Sequence, residues 1–272
     1  RYWVVFDQFQ AREPGDYSVM CQWFHGARQV DEQCRAIQTS GDHTLVLQAA
    51  GGVRPLVTFL DDGRPIVRQS VHAELPAGRG LTMAHLLYAH PKDQDHPYAV
   101  RRLATGRVLV SEPERQVLIG LATLGAPAAP LFPEGPLEVA CALYALSDHD
   151  LALAALTRLG TADAQGVLLE ADRPLDGHLD AGGGVLTLVA AEPTRLRLRG
   201  LRLSDGRLTA ADPEVVQEVA LTAGRHQAAF AAGQDGPLAG LTAAARAALE
   251  SAAGATAVEA VESARELPRR LV

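Results

Sequence analysis

Cysteine is scarce in this sequence, which contains only Cys21, Cys34 and Cys141. A disulfide-rich scaffold needs several regularly spaced cysteines, and a zinc ribbon needs paired C-x-x-C motifs, so the sequence excludes both classes. A single Cys21–Cys34 disulfide is one alternative. We favour the interpretation that all three cysteines pack as small hydrophobic side chains, because cysteine is often buried for its packing alone.

The sequence also lacks an excess of positive charge and any long apolar run. Its formal net charge is −7 and its pI is about 5.7, which argues against a nucleic acid as partner. No signal peptide and no stretch of about 18 consecutive apolar residues occurs, so no membrane span is expected. Arginine nevertheless greatly outnumbers lysine, and arginine is the better bidentate ligand for carboxylate or sulfate groups. The composition is therefore compatible with a local basic groove for an acidic glycan.

The motifs of common catalytic sites are absent as well. The sequence has no G-x-S-x-G elbow, P-loop, Rossmann glycine fingerprint or H-E-x-x-H zinc motif. The glycine-rich stretch DAGGG at 180–184 is not followed by a helical pattern, which a phosphate-binding turn of these types needs. Adjacent carboxylates such as Asp61 and Asp62 lie in stretches typical of turns. We therefore predict no catalytic residue, no metal ligand and no cofactor from motifs in this chain.

What the sequence does contain, from residue 1 to about residue 231, is a succession of short apolar runs bounded by turn residues. Turn signals recur roughly every eight to twelve residues, the spacing typical of an antiparallel sandwich or barrel. In TRLRLRGLRL at 194–203 leucine alternates with arginine, which predicts a strand with one buried and one solvated face. DDGRP at 61–65, SDGR at 204–207 and DAGGG predict hairpin turns. We predict an all-β domain over 1–231, a large antiparallel β-sandwich.

The pattern becomes helical after residue 231, and we predict an Ala-rich helical pair over 232–272. Pro237 suits the first turn of the first helix and Gly254 its end. Thr256 begins a T-x-x-E capping box for a second helix, which Pro268 stops. The apolar stripe of the first helix consists of Leu238, Leu241, Ala245 and Leu249.

The two ends of the sequence and one proline-rich run bear on its organisation. RYWVVFDQF at 1–9 is strand-forming from the first residue and lacks an initial Met, and LPRRLV at 267–272 ends on apolar residues. We therefore expect the chain to be part of a longer protein. LGAPAAPLFPEGP at 124–136 has four prolines and two glycines, which predicts a long surface connection or a joint between subdomains.

Aromatic residues beside a histidine, in QWFH at 22–25, are the feature best suited to a sugar site. The C–H face of a sugar stacks on an aromatic ring while its hydroxyl and carboxylate groups bind polar side chains. Because aromatic residues make up only 5% of the chain, we favour the alternative that Trp3, Trp23, Phe6 and Phe24 form the core of the sandwich.

Three histidines, His85, His90 and His96, lie close together in sequence. Their spacing matches no standard zinc module, so we interpret them as strand and loop histidines without a metal.

Two strand motifs at the start of the chain carry a family resemblance. Tyr2 to Asp7, YWVVFD, is followed by a strand that ends in Trp-Phe-His at 23–25. These motifs resemble the C-terminal β-sandwich region of the heparinase II/III-like polysaccharide lyases, in which a Tyr/Phe-Trp-Val-Val-x-Asp strand precedes one bearing Trp/Phe-His. LTMAHLLYAHP at 81–91 and DLALAALTRL at 150–159 are similar to later sandwich strands, so the likeness spans roughly residues 1–230.

The resemblance implies a parent enzyme, periplasmic or extracellular, in which an upstream helical toroid and the sandwich enclose an acidic polysaccharide and cleave it by β-elimination. This reaction needs a group that neutralises the uronate carboxylate, a base for the C5 proton and an acid for the leaving oxygen. In the family these residues, and a zinc site in some members, come mostly from the toroid and from a His-rich stretch at the start of the sandwich. No matching motif occurs here, so the resemblance implies that this chain alone is inactive.

From the matched strands we predict that Trp23, His25, Tyr88 and His90 contact the polysaccharide. The alternative function is a noncatalytic carbohydrate-binding or cell-surface adhesion β-sandwich.

Overall fold

The computed structural model describes residues 1–51, 53–104, 106–122, 137–161 and 168–255. These residues cluster into two compact units. Unit 1 contains Arg1–Glu114, and unit 2 contains Arg115–Ala122 and the described residues that follow as far as Gly254. The predicted boundary at residue 231 stays a prediction.

Unit 1 is made of strands. They are β1 (Tyr2–Gln10), β2 (Gly15–Phe24), β3 (Arg35–Ser40), β4 (His43–Ala49), β5 (Leu56–Phe59), β6 (Pro65–Leu75), β7 (Gly80–Pro91), β8 (Ala99–Ala104) and β9 (Arg107–Ser111).

Two antiparallel sheets of unit 1 form a sandwich. Sheet A has the strand order β1-β7-β4-β3 and sheet B the order β2-β6-β5, while β8 and β9 form a hairpin. The inner faces of the two sheets meet in two apolar clusters, one around Leu47 and Val67 and the other around Val71 and Leu81. Burial of this apolar area is the main favourable term that holds the sheets together. β1 and β2 are edge strands of their sheets, and Cys21 Sγ of β2 lies 3.1 Å from Asp7 Oδ2 of β1. The two strands therefore lie together at one edge of the sandwich, which we call the β1–β2 edge.

Unit 2 consists of strands and one helix. They are β10 (Gln116–Leu121), β11 (Leu137–Ala140), β12 (Leu143–Leu146), β13 (Asp150–Thr161), β14 (Leu168–Asp180), β15 (Val185–Ala190), β16 (Thr194–Arg199), β17 (Leu201–Ser204), β18 (Arg207–Ala210), β19 (Val216–Leu221), β20 (Gly224–Ala229) and α1 (Ala239–Gly254).

The long strands β13 and β14 organise unit 2 because each pairs with different partners along its length. The first half of β13 pairs with β12 and its second half with β11, while β14 pairs first with β16 and then with β15. The register shifts on both sides of Leu156, and Ala155 has a φ of 51°. A bulge of this kind bends a strand and increases its twist, which lets one hairpin serve two groups of strands.

The predicted all-β class, with antiparallel sheets packed as a sandwich, is confirmed. Leu196 and Leu198 of TRLRLRGLRL are each 1% exposed and Leu201 is buried, while the arginines of β16 lie on its other face. Gly200, with a φ of 68°, separates β16 from β17. The three predicted turns join β5 to β6, β14 to β15 and β17 to β18, and each pair is antiparallel.

The first predicted helix of the tail is α1, which packs on β10, β11 and β13. Its buried face includes Leu241, Ala245 and Leu249, as the apolar stripe predicts. The second predicted helix, from Thr256, and the proline-rich connection at 124–136 lie outside the described residues. In the described part of the chain, no helix combines the length and the apolar character needed to cross a bilayer.

The interpretation that four aromatic side chains form the sandwich core is wrong for two of them. Trp3 is 62% exposed and Phe24 is 75% exposed. Trp23 packs against the core cluster around Leu47, and Phe6 is half-buried. Trp23 and Phe24 are consecutive residues of one strand, so their side chains point to opposite faces of sheet B.

Candidate functional site

The four residues predicted to contact a glycan lie on two sides of sheet A. Trp23 packs against the apolar cluster around Leu47 and Val67 in the interior of the sandwich. Since alternate residues of β7 point to opposite faces, Tyr88 and His90 lie on the outer face of sheet A, turned away from sheet B. The structure therefore brings Tyr88 and His90 together and leaves Trp23 and His25 apart from them.

His25 is placed directly after β2 and is buried, with 6% of its surface exposed. Its Nδ1 accepts a hydrogen bond from the backbone N–H of Ala27 at 3.2 Å. Burial lowers the pKa of His25, which keeps the ring neutral. In this position the imidazole holds the backbone of Ala27 directly after β2.

Tyr88 and His90 belong to a compact group on the outer face of sheet A that also contains His96, Tyr98 and Arg35, and we call it the Tyr88 cluster. His90 Nε2 lies 3.1 Å from His96 Nδ1, and the Tyr88 hydroxyl lies 3.3 Å from the same His96 nitrogen. The ring of Tyr98 meets that of Tyr88 edge to face at 5.2 Å between centroids. Aromatic and imidazole rings thus enclose Tyr88, which is fully buried.

The hydrogen bonds of the Tyr88 cluster assign the protons. His90 Nδ1 lies 2.8 Å from the carbonyl oxygen of Pro91, so this nitrogen carries a proton and donates it. In neutral His90 the other nitrogen, Nε2, is then an acceptor, and His96 Nδ1 donates to it. The Tyr88 hydroxyl donates to the carbonyl oxygen of Tyr98 at 3.3 Å. One hydrogen bond, from His96 Nδ1 to His90 Nε2, therefore links the two imidazoles, and His96 Nε2 remains an acceptor.

Arg35 supplies the positive charge of the Tyr88 cluster. Its Nε donates to Asp31 Oδ2 at 2.7 Å, which fixes the plane of the guanidinium group, and its side chain is 17% exposed. Burial, followed by the charge of Arg35, lowers the pKa of His96. Burial raises the pKa of Tyr88 to about 12, against the opposing effect of Arg35, so Tyr88 remains a proton donor at neutral pH.

Sequence reasoning missed Arg35 as a partner of Tyr88 and set His96 aside. Arg35 lies in β3, which pairs with β4, and β4 pairs in turn with β7, so the contact depends on the register of three strands. The only local signal was the closeness of His90 and His96 in sequence.

A second cluster lies in the interior of the sandwich at the β1–β2 edge. Asp7 of β1, Cys21 of β2 and His85 of β7 place one ligand atom each within 4.8 Å of the others. The Cys21 thiol donates to Asp7 Oδ2 at 3.1 Å, and His85 Nδ1 lies 3.9 Å from the same oxygen. The ring of Trp23 meets that of His85 edge to face at 5.4 Å.

This second cluster is not a cysteine nucleophile site. In a cysteine–histidine pair the imidazole takes the thiol proton, whereas here Cys21 donates to the Asp7 carboxylate. Burial and the hydrogen bond and charge of Asp7 raise the pKa of Cys21 to about 12. Cys21, Cys34 and Cys141 are all free thiols, so the alternative of a Cys21–Cys34 disulfide does not hold.

Comparison with protein-family models and with curated proteins gives no match for this chain. Its function is therefore argued from the two clusters and from the strand motifs.

Proposed function

We propose that this chain is the β-sandwich portion of a heparinase II/III-like polysaccharide lyase, contacting an acidic polysaccharide while an upstream helical toroid supplies the catalytic residues. The proposal is supported by the YWVVFD and WFH strand motifs and, above all, by the Tyr88 cluster. That cluster joins one arginine, two histidines and two tyrosines on one sheet face of a chain with only five tyrosines. The parent enzyme would act in the periplasm or outside the cell, where such polymers occur.

The chemistry of the Tyr88 cluster suits a uronate or sulfate group. The guanidinium of Arg35 is held in one plane by Asp31, and a fixed guanidinium recognises a carboxylate or sulfate by charge-assisted hydrogen bonds. The lowered pKa of His96 keeps that ring neutral near pH 7, so its Nε2 offers an acceptor to a sugar hydroxyl. Arg35, His96 and Tyr98 are the half-buried members of the cluster, and we expect Arg35 and His96 to contact the sugar.

Tyr88 and His90 have a different role in this account. Tyr88 is fully buried and His90 is 5% exposed, so neither is placed to protonate a leaving oxygen of a polymer. They position His96 through the hydrogen bonds to its Nδ1. The burial of Tyr88 and His90 therefore agrees with a chain that only contacts the substrate, while another part of the enzyme supplies the base and the acid.

The experiment that tests the proposal measures ultraviolet absorbance of unsaturated uronate products on a panel of acidic polysaccharides. This chain is compared with a version extended upstream in the parent gene. We expect product only from the longer version, and we expect Arg35→Gln in that version to raise KM more than it lowers kcat. Product formation by the short chain, or an unrelated domain encoded upstream, would overturn the proposal.

The second candidate, a noncatalytic carbohydrate-binding sandwich, is favoured by the outer face of sheet B. There Phe24, Met20 and Leu56 are exposed, and Gln22 pairs in register with Arg68. An exposed ring beside polar side chains can stack on a sugar without any catalytic group.

Binding measured on this chain discriminates between the two candidates. Loss of glycan binding in Phe24→Ala, with binding retained in Arg35→Gln, would favour the noncatalytic module. The reverse pattern would favour the Tyr88 cluster. Phe59→Ala is the matched control, because Phe59 is also an exposed phenylalanine of unit 1 and is 55% exposed.

A further inference from the structure

We infer that Asp7, Cys21 and His85 form a binding site for a zinc-type divalent cation at the β1–β2 edge of unit 1. The three side chains come from three strands of the sandwich, two in sheet A and one in sheet B. The inference does not depend on the proposed function, because it concerns the inner face of sheet A and not the outer face that carries the Tyr88 cluster.

The geometry is close to that of a tetrahedral site. Zinc binds thiolate sulfur at about 2.3 Å and imidazole nitrogen or carboxylate oxygen at about 2.0–2.2 Å, which puts ligand atoms roughly 3.3–3.7 Å apart. Here Cys21 Sγ is 3.1 Å and His85 Nδ1 is 3.9 Å from Asp7 Oδ2, and all three atoms fall within 4.8 Å. The first distance is just below the range for ligands of one zinc ion and the second just above it, so small side-chain rotations bring the three atoms to ligand positions.

An independent observation points to a missing ligand at His85. This side chain is 1% exposed, and within the described residues neither of its ring nitrogens has a hydrogen-bond partner. Buried polar groups are nearly always hydrogen-bonded, so an imidazole with two unpartnered nitrogens requires an explanation. Its Nδ1 is directed at Asp7 but is too distant for a hydrogen bond, and a metal ion between them would satisfy it.

The surroundings of the site allow an ion to enter and leave one coordination position open. The Asp7 side chain is 46% exposed at the β1–β2 edge, so solvent reaches the site from that side. Three protein ligands leave a fourth position for water or another small ligand, as in exchangeable zinc sites. A thiolate with an imidazole and one carboxylate favours zinc over calcium or magnesium, which prefer oxygen ligands only.

The charges balance when the ion binds. The Cys21 thiol loses its proton to solvent and the sulfur binds the ion, while Asp7 gives up its hydrogen bond to the thiol and binds through Oδ2. Neutral His85 binds through the lone pair of Nδ1 and keeps its proton on Nε2. One proton is released for each ion, and the two negative ligands neutralise the divalent cation within the sandwich.

Cobalt(II) titration of the chelator-treated chain tests the site, because cobalt replaces zinc and reports its ligands by absorbance. We expect one cobalt per chain, visible bands of a four-coordinate ion and a thiolate-to-cobalt charge-transfer band in the near ultraviolet, all removed by added zinc. Cys21→Ser should abolish the charge-transfer band, and Cys34→Ser should retain it, since Cys34 is also a half-buried free cysteine of unit 1.

Variants of the other two ligands complete the test. Asp7→Asn and His85→Gln should each weaken zinc binding at least about tenfold, with circular dichroism confirming that each variant is folded. If His85→Gln does not fold, the zinc affinity of Asp7→Asn tests the site instead, because Asp7 is half-exposed at the edge and its replacement leaves the core intact. A wild-type chain that shows no charge-transfer band, or a band that survives in Cys21→Ser, would overturn the inference.

Discussion

Trp23 and Phe24 are consecutive residues of β2, yet Trp23 lies against His85 inside the sandwich while Phe24 is 75% exposed on the outer face of sheet B. The strand alternation that separates them gives the two rings different roles. The first stabilises the fold, and the second is available to a ligand.

The two rings should differ in their effect on stability. Trp23→Ala removes a large side chain packed against the core and should lower the free energy of unfolding by about 2–4 kcal/mol. Phe24→Ala should change it by no more than about 0.5 kcal/mol. Urea denaturation followed by circular dichroism measures both values, and equal losses would contradict the assignment of the two faces.

His85 should make the metal-free protein less stable in acid. Burial lowers the pKa of His85 from 6.5 to about 4, although Asp7 opposes the change. Between these two pKa values His85 binds a proton in the unfolded chain but not in the folded chain. The free energy of unfolding therefore falls as the pH decreases from about 6.5 to about 4. Below that range the loss is complete, and His85 accounts for up to about 3 kcal/mol of it.

The pH dependence of denaturant unfolding measures this effect. His85→Gln should flatten the curve between pH 6.5 and pH 4, the range given by the two pKa values. His43→Gln should leave the curve unchanged, because His43 is an exposed histidine of the same unit. A curve for His85→Gln as steep as that of the wild type would refute the assignment.

A side chain at position 120 should destabilise the fold. It lies opposite Tyr144 in the pairing of β10 with β12, and a Cβ at position 120 would lie 2.1 Å from a carbon of the buried Tyr144 ring. Gly120→Ala therefore displaces that ring and should cost about 1–3 kcal/mol.

Gly240→Ala is the control for this prediction, since a Cβ there meets no atom within 4 Å. In the first turn of α1 it should be neutral or stabilising by up to about 1 kcal/mol. Thermal unfolding distinguishes the two variants, and a Gly120→Ala protein as stable as Gly240→Ala would show that the ring moves without cost.

Asp7 should suppress the reactivity of Cys21. Burial is the largest cause of its raised pKa, followed by the hydrogen bond and the charge of Asp7. Asp7→Asn removes the charge, so alkylation of Cys21 by iodoacetamide at pH 8 should become several times faster in metal-free protein. Peptide mass analysis of the same samples gives the rate at Cys34, which should not change; an unchanged rate at Cys21 would argue that burial alone protects the thiol.

The strands and turns were predictable because their causes are local. The alternation of Leu196 and Leu198 with arginine fixes a strand face, and Gly206 permits the positive φ of 71° that the turn between β17 and β18 requires. Which of two adjacent aromatic residues points inward is not a local property. It depends on which face of sheet B meets sheet A, so the sequence did not identify Phe24 as exposed.

The two clusters were not predictable for the same reason. Asp7 and His85 become neighbours through the register of β1 with β7, and Cys21 joins them only because β2 packs over β1. Arg35 reaches Tyr88 across β4. Contacts made through sheet register and sheet packing have no fixed spacing in sequence, so no motif search detects them.

The most direct test of the proposed function is a calorimetric titration of this chain with a uronate-containing oligosaccharide, compared with a neutral glucan. We predict binding of the acidic sugar alone, with Arg35→Gln at least about tenfold weaker and Arg35→Lys intermediate. Arg64→Gln should bind as the wild type does, because Arg64 forms a similar ion pair with an aspartate but lies in an exposed turn. Absence of binding to the acidic sugar, or equal losses in Arg35→Gln and Arg64→Gln, would contradict the assignment of the Tyr88 cluster as the glycan contact.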